Sequence, residues 1–269
     1  RLAVDQELSD IFDELWRLDK NRLTPVTDYN ISVQKSKLHL ICRLHWNECD
    51  FLFCSAGFIK LLNNYERSTG VAEQVTAEER TEIDLFLDAV LETEVMKRAH
   101  RYLVSKAKSN SDLRRFKSQL YLIWFNFYHR LDSCGFEHVF VGETRSGTEI
   151  IGFHNWIQFY LQEKIHQTKR SLSFCSNPDQ DDHVLNLQFS WHGLVKPVGS
   201  TFIGTSPEFE MAIFTIVFLR STERSTTVLV NIDQCQIELV VIRHGRSLGT
   251  AYPKLLSSNS RHVGQQHSR

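Results

Sequence analysis

The chain has 269 residues, 42% of them hydrophobic and 11% aromatic, which is ample material for a buried core and excludes disorder of the main body. Thirty-one Lys and Arg against 32 Asp and Glu give a formal net charge of −1, which excludes the basic excess of a protein that grips duplexes by phosphate contact; nucleic acid would be met locally and briefly. The longest largely apolar stretch, Met211 to Leu219, falls well short of the roughly 20 residues that span a bilayer.

The first half reads as helices. From Val4 to Leu18, Leu8, Ile11, Phe12, Leu15 and Trp16 recur at helical spacing, with Asp5, Glu7, Asp10, Asp13 and Glu14 facing away. Thr76 followed by Glu79 is a capping box that opens the longest predicted helix, through Ile83, Phe86, Leu87, Val90, Leu91 and Val95 towards Leu103. A further helix is predicted from Asp112 to Arg130, bringing Leu113, Phe116, Leu120, Ile123, Trp124 and Phe127 to one side. These stripes are core faces, with no sign of a cofactor.

From Gly135 the period changes. Leu185, Leu187, Phe189 and Trp191 alternate with Asn186, Gln188 and Ser190, the pattern of a strand with one buried face. Shorter apolar runs at Val139–Val141, Thr226–Val230 and Ile237–Ile242 read the same way. One helix interrupts them: Ser206 is a good N-cap, Pro207 suits the first helical position, and the body to Phe218 is apolar nearly all round, so it is buried. The chain is therefore α+β, with a helical N-terminal lobe (1–132), a strand-rich lobe (133–256) and a disordered tail (257–269). The polar segment from Glu163 to Asp182, with Asn177-Pro178-Asp179, is the expected mobile loop.

Six cysteines, Cys42, Cys49, Cys54, Cys134, Cys175 and Cys235, include no Cys-x-x-Cys pair. Disulfides among Cys42, Cys49 and Cys54 and fully reduced thiols both stand as readings. The start at Arg1 leaves the compartment open: secreted if a signal peptide has been removed, intracellular otherwise. A monomer is expected.

Chemistry concentrates between Gly135 and Glu210. His138 in Phe-Glu-His-Val-Phe and His154 in Gly-Phe-His-Asn-Trp have near-matching settings 16 residues apart, as on two strands, or a strand and a helix, folded back on each other. Lys196 follows in the weakly charged stretch Val195 to Ile203, where an ammonium without a phosphate partner is an odd choice. Two imidazoles and an ammonium suffice for metal-free RNA cleavage: one imidazole takes the 2′-hydroxyl proton, the other protonates the departing 5′-oxygen, and the lysine offsets charge on the phosphorane. Histidine suits both jobs because its unperturbed pKa is about 6.5. The enzyme rival is a cysteine hydrolase using Cys134 with His138 or His154, though no nucleophile signature flanks Cys134. His183 and His192 beyond Asp179, Asp181 and Asp182 are a weak metal-site candidate, since their spacing fits neither a His-Glu-x-x-His helix nor an EF-hand loop.

The blocks Gly135-Phe-Glu-His138-Val-Phe-Val-Gly-Glu143, Gly152-Phe-His154-Asn-Trp-Ile-Gln-Phe-Tyr160, Lys196-Pro-Val-Gly-Ser200 through Glu210, and Gly249-Thr-Ala-Tyr252 together resemble the EndoU family of uridylate-preferring endoribonucleases. The resemblance reaches upstream through Phe58-Ile-Lys-Leu-Leu-Asn-Asn-Tyr65 and covers residues 1 to 253. It implies antiparallel sheets in the catalytic lobe and cleavage of single-stranded, uridine-rich RNA to a 2′,3′-cyclic phosphate and a 5′-hydroxyl. It also implies His154 as base, His138 as acid and Lys196 as charge stabiliser. By the same resemblance, and by likeness to coronavirus endoribonucleases, Ser200 and Tyr252 meet the uracil and its ribose, with Thr250 assisting from the same strand. Glu137 and Glu143 match acidic positions that orient His138, bind a divalent ion or are solvated. A divalent cation, Mn²⁺ or Ca²⁺, is an expected cofactor, although the proton transfers do not require one. The rival from the binding class is an RNA-binding module of the same fold without turnover, which would be expected had His138, His154 or Lys196 been replaced.

Overall fold

The structure, a computed structural model, describes residues 2–25, 27–34, 37–42, 52–128, 132–164 and 183–258. Helix α1 (Gln6–Leu18) starts where Asp5 accepts a hydrogen bond from the Leu8 amide, and it buries Leu8, Ile11, Phe12, Leu15 and Trp16. It is tied to the far end of the chain: the Asp5 amide donates to the Leu229 carbonyl at 2.8 Å, and Val4 bridges Leu229 in parallel. An antiparallel hairpin, β1 (Tyr29–Gln34) and β2 (Lys37–Cys42), follows, adding strands to a half of the chain that reads as helical. Helix α2 (Leu52–Leu61) and the short β3 (Ser68–Thr69) come next.

The predicted long helix is two helices, α3 (Ala77–Glu92) and α4 (Glu94–Ser105). Thr93 divides them: its backbone is extended, its amide closes α3 on Val90, and its hydroxyl caps α4 by accepting from the Met96 amide. The expected capping box of Thr76 and Glu79 is present with both of its bonds. Helix α5 (Leu113–Trp124) begins at its Asp112 cap but ends six residues short of Arg130. Tyr128 is drawn away instead, its amide donating to Ser133 and its hydroxyl to the Leu248 carbonyl. Leu113, assigned to the core by spacing, lies in the first turn and is 44% exposed.

In the second half the run Val139–Val141 forms a wide π-helical turn, Glu137–Val141, and not a strand. The turn closes through the Gly142 amide on the Glu137 carbonyl, leaving the His138 and Val139 carbonyls to accept bonds from the second histidine segment. Strands β4 (Glu143–Arg145) and β5 (Glu149–Ile151) pair antiparallel, with β3 parallel to β4 on the other side. Helix α6 (Trp156–Lys164) is followed by the antiparallel hairpin β6 (Val184–Trp191) and β7 (Leu194–Phe202). Helix α7 (Pro207–Arg220), capped by Ser206, is buried from Pro207 to Phe218, as its all-round apolar sequence requires. A meander of β8 (Ser225–Ile232), β9 (Cys235–His244) and β10 (Ser247–Ser258) completes the α+β fold, in which β3 and β4 are the one parallel pair among the described strand pairs.

One apolar core runs through these elements, from Leu8 on α1 to Ala251 on β10, and α7 sits inside it. Trp124 of α5 donates its indole N–H to the Thr215 hydroxyl of α7, satisfying a polar atom that burial would otherwise strand. Strand β10 also packs against β6 and β7, and β7 against β5, so three sheets meet along one seam. Most of the polar segment after Glu163 (165–182) and the tail from 259 lie outside the described residues; β10 itself carries on to Ser258.

Candidate active site

The seam between β5, β7 and β10 opens into a cleft of about 810 Å³ that His138, His154, Lys196, Ser200, Thr250 and Tyr252 all line. The two histidine segments are stitched by backbone bonds. The Phe153 amide donates to the His138 carbonyl at 3.0 Å and the His154 amide to the Val139 carbonyl at 2.7 Å. That juncture demands glycine at 152, where φ is +62° and an added Cβ would lie 1.8 Å from the His138 carbonyl oxygen. His138 thus sits on the π-helical turn, and His154 in the short link between β5 and α6, neither on a strand.

The imidazoles face opposite partners. His138 Nδ1 lies 2.8 Å from Glu143 Oε2, so the carboxylate accepts from Nδ1–H and leaves Nε2 directed elsewhere. His154 Nδ1 lies 2.8 Å from the Ser200 carbonyl oxygen, which can only accept, so Nδ1 carries the proton and Nε2 holds a lone pair. Burial, and then the Lys196 ammonium, hold the His154 pKa well below the usual histidine range, so the ring is neutral near pH 7.

Lys196 is 9% exposed and donates to the Gly152 carbonyl at 2.5 Å. That bond places the ammonium beside the strut joining the two histidines and leaves two of its three N–H groups for another acceptor. Burial pushes its pKa down to about 8, and the neighbouring Glu149 opposes the shift.

The supporting residues differ from expectation in instructive ways. Glu143 is buried and does hold His138. Glu137 is fully buried, not solvated, and both its oxygens lack a hydrogen-bond partner among the described residues. Burial, and then Glu143, push its pKa up to about 11, so it is a neutral acid. Ser200 serves His154 through its carbonyl, while its hydroxyl makes no hydrogen bond among the described residues. Thr250 Oγ1 is likewise buried without a partner. The Tyr252 ring stacks on the His154 ring, centroids 5.0 Å apart and planes 23° apart, so one of its faces is spent on the imidazole.

Several residues that hold the site carry no signal in composition or spacing. The Asn155 side-chain oxygen accepts from the Ile157 and Gln158 amides and so starts α6, while its amide donates to Glu210 at 3.2 Å. The Thr201 hydroxyl donates to the His154 carbonyl at 2.7 Å. Both fall inside the sequence blocks that resemble EndoU, which is the signal that would find them.

The rival chemistries fare differently. Cys134 is fully buried, and burial followed by the adjacent Glu137 pushes its thiol pKa well up, which removes the thiolate a hydrolase needs. Cys235 is also buried; Cys49 and Cys175, and the side chains of Cys42 and Cys54, lie outside what the structure describes. His183 pairs with Asp233 at 3.0 Å and packs on Trp16, while His192 is an exposed turn residue at φ +50°. Asp179, Asp181 and Asp182 lie outside the described residues, among which no group of three or more metal-type side chains converges. No described helix is long and apolar enough to cross a membrane.

Several known proteins are similar to this chain over nearly its whole length. The uridylate-specific endoribonuclease C of Danio rerio is 61% identical over 97% of this chain and 92% of its own length. The poly(U)-specific endoribonuclease of Xenopus tropicalis is 48% identical, covering 96% of both chains. The solved structure of XendoU, described as a splicing-independent snoRNA-processing endoribonuclease, matches with a TM-score of 0.86 and 49% identity over 96% of this chain and all of that one. The model of the family "Endoribonuclease XendoU" matches residues 7–253, and the chain belongs to that family.

Proposed function

We propose that this protein is an endoribonuclease that cuts single-stranded RNA on the 3′ side of uridylates by internal transesterification. The observation that carries this reading is the opposed setting of the two imidazoles, one on a carbonyl and one on a carboxylate. Such a split supports reading one as the base and the other as the acid. His154 Nε2, neutral and with its lone pair free, takes the proton of the uridine 2′-hydroxyl. The 2′-oxygen attacks phosphorus, the P–O5′ bond breaks, and His138, whose Nδ1–H is fixed by Glu143, passes its Nε2 proton to the 5′-oxygen. The products are a 2′,3′-cyclic phosphate and a 5′-hydroxyl. The Lys196 ammonium faces the non-bridging oxygens, where charge grows in the transition state. Ser200 and Thr250, which line the cleft, meet the uracil edges and ribose, the Thr250 hydroxyl being one without a hydrogen-bond partner, and Tyr252 holds the face of the base catalyst.

The described residues do not fit a resident divalent ion. Oxygen-seeking cations take six to eight ligands, and the orphaned oxygens near the chemistry are those of the protonated Glu137, one of Glu143 and the Thr250 hydroxyl. We therefore route no step through a metal, and read Mn²⁺ or Ca²⁺ as an ion acting on stability or on RNA binding.

The reaction is tested with a labelled uridine-containing oligoribonucleotide, in EDTA and in Mn²⁺, followed by identification of the product ends. A cyclic phosphate in both conditions, and no cleavage when 2′-deoxyuridine stands at the cut site, is the expected result. A 3′-hydroxyl and 5′-phosphate would mean attack by water and overturn the mechanism.

A further inference from the structure

The cleft is wider in charge than the trio explains. On a chain whose formal net charge is −1, the cleft walls carry Arg145, Arg224, Arg243, Lys196 and Lys254 against one carboxylate, Glu149. Arg243 is occupied by structure, since its guanidinium lies over the Phe218 ring and donates to the carbonyls of Phe218, in α7, and Ser221, just after it. Arg145 and Lys254 are exposed and lie on different walls.

Their places in the fold give each a direction along the substrate. Arg145 ends the three-residue strand β4 that Glu143 begins, and Glu143 is what holds His138, the group that meets the leaving 5′-oxygen. Arg145 is therefore on the side of the departing nucleotide. Its counter-ion, Glu149, is an exposed partner at 2.9 Å, and exposed pairs of this kind are weak, so an incoming phosphate can compete. Lys254 follows Tyr252 by two residues on β10, and side chains two apart leave one face of a strand about 6.6 Å apart. Its ammonium lies 5.7 Å from the Tyr252 ring, which in turn stacks on His154, the group that meets the uridine 2′-hydroxyl. Lys254 is therefore on the uridine side.

We propose that Lys254 binds the phosphate on the 5′ side of the target uridine and Arg145 the phosphate on the 3′ side of the departing nucleotide, so that the cleft engages three successive phosphates and only the central one reacts. This rests on the reaction proposed above. It accounts for basic side chains gathered in one cleft of a chain with no basic excess, and it makes affinity for short RNA depend on flanking phosphates as well as on uracil.

Three dinucleotides separate the two subsites: UpA, UpA carrying a 5′-phosphate, and UpA carrying a 3′-phosphate. The wild-type protein should cleave each phosphorylated form with kcat/KM about three- to tenfold above that of UpA, an advantage that shrinks as salt rises. Lys254→Ala should lose the advantage of the 5′-phosphate and keep that of the 3′-phosphate, and Arg145→Ala should do the reverse. Lys254→Glu, read beside its thermal melt, should turn the 5′ advantage into a penalty. Equal loss of both advantages in both variants, survival of both, or no advantage in the wild type would each overturn the assignment while leaving uridylate cleavage standing. Failure of the wild type to cut any of the three would instead remove the reaction, and this inference with it.

Discussion

His138 and His154 occupy nearly the same local sequence, an aromatic or acidic residue before and a branched or amide residue after, yet the fold gives them opposite surroundings. The first stands on a π-helical turn with a carboxylate behind it; the second is buried in a link with a carbonyl behind it and an ammonium near it. The contrast shows that the role of a histidine is set by what lies on its Nδ1 side, and that this partner comes from elsewhere in the chain. Glu143 is five residues from His138, but Ser200 is 46 residues from His154.

The sharpest way to break that comparison is to remove each imidazole and then remove the need for one of them. His138→Ala and His154→Ala should each lower cleavage of a uridine oligonucleotide by at least about a hundredfold, and Lys196→Ala by a similar factor, with circular dichroism unchanged. With uridine 3′-(4-nitrophenyl phosphate), whose leaving group departs without a proton, His138→Ala should recover to within about tenfold of wild type and His154→Ala should not. Recovery of His154→Ala in place of His138→Ala would reverse the assignment of base and acid.

The carboxylate behind His138 gives a smaller effect. Glu143→Gln keeps the shape but removes the counter-charge to an imidazolium and can present an N–H to Nδ1, favouring the wrong tautomer. Cleavage of the oligonucleotide should fall roughly ten- to a hundredfold, and cleavage of the nitrophenyl ester much less, because that substrate does not use the acid. Equal losses on the two substrates would mean that Glu143 supports the fold and not the proton transfer.

How much of this was legible in advance follows from where each partner lies. Helix α1, the Thr76 cap and the buried α7 were readable because periodicity and caps are local. The split at Thr93 was not, since one threonine at a helical position differs little from any other until its hydroxyl finds the Met96 amide. The run at Val139–Val141 misled because a short apolar run fits a strand or a buried helical turn equally, and here backbone bonds from Phe153 and His154 favour the turn. Within the site, residue types could nominate His138, His154 and Lys196, but the Ser200 carbonyl behind His154 and the Gly152 carbonyl under Lys196 are main-chain atoms that composition does not mark. The sequence nominates Tyr252 for the nucleotide but does not show that one of its faces lies against the His154 imidazole, a contact that joins β10 to the link before α6.

The pH dependence tests the electrostatic half of the contrast. The depressed pKa of His154 keeps it unprotonated, and so competent as a base, well below pH 6.5; the acid limb of kcat/KM should lie below the usual histidine range. Lys196, pushed down to about 8, is charged below that pH and loses its proton as pH rises through it. Affinity for an uncleavable 2′-deoxyuridine oligonucleotide should therefore weaken severalfold between pH 7 and pH 9 in wild type and stay level in Lys196→Gln. An unchanged wild-type affinity across that range would place the lysine's titration outside it.

Ser200 gives the smallest effect and separates specificity from chemistry, because its two polar groups have different duties. The carbonyl fixes the tautomer of His154 and survives any side-chain substitution; the residue lines the cleft, and its hydroxyl makes no hydrogen bond among the described residues. Ser200→Ala should therefore leave the acid limb of the pH profile in place while removing one hydrogen bond to uracil, worth about 1–1.5 kcal/mol, or roughly five- to twelvefold in kcat/KM at uridine sites. Cytidine sites should barely change, so the measurement is the ratio of kcat/KM at matched uridine and cytidine sites. A loss shared equally by both bases would show that the substitution disturbed the carbonyl and hence the base. An unmoved ratio with no loss at either would leave the buried Thr250 hydroxyl, the other orphan in the cleft, as the group that reads the base, and Thr250→Val would then be the variant that shifts the ratio.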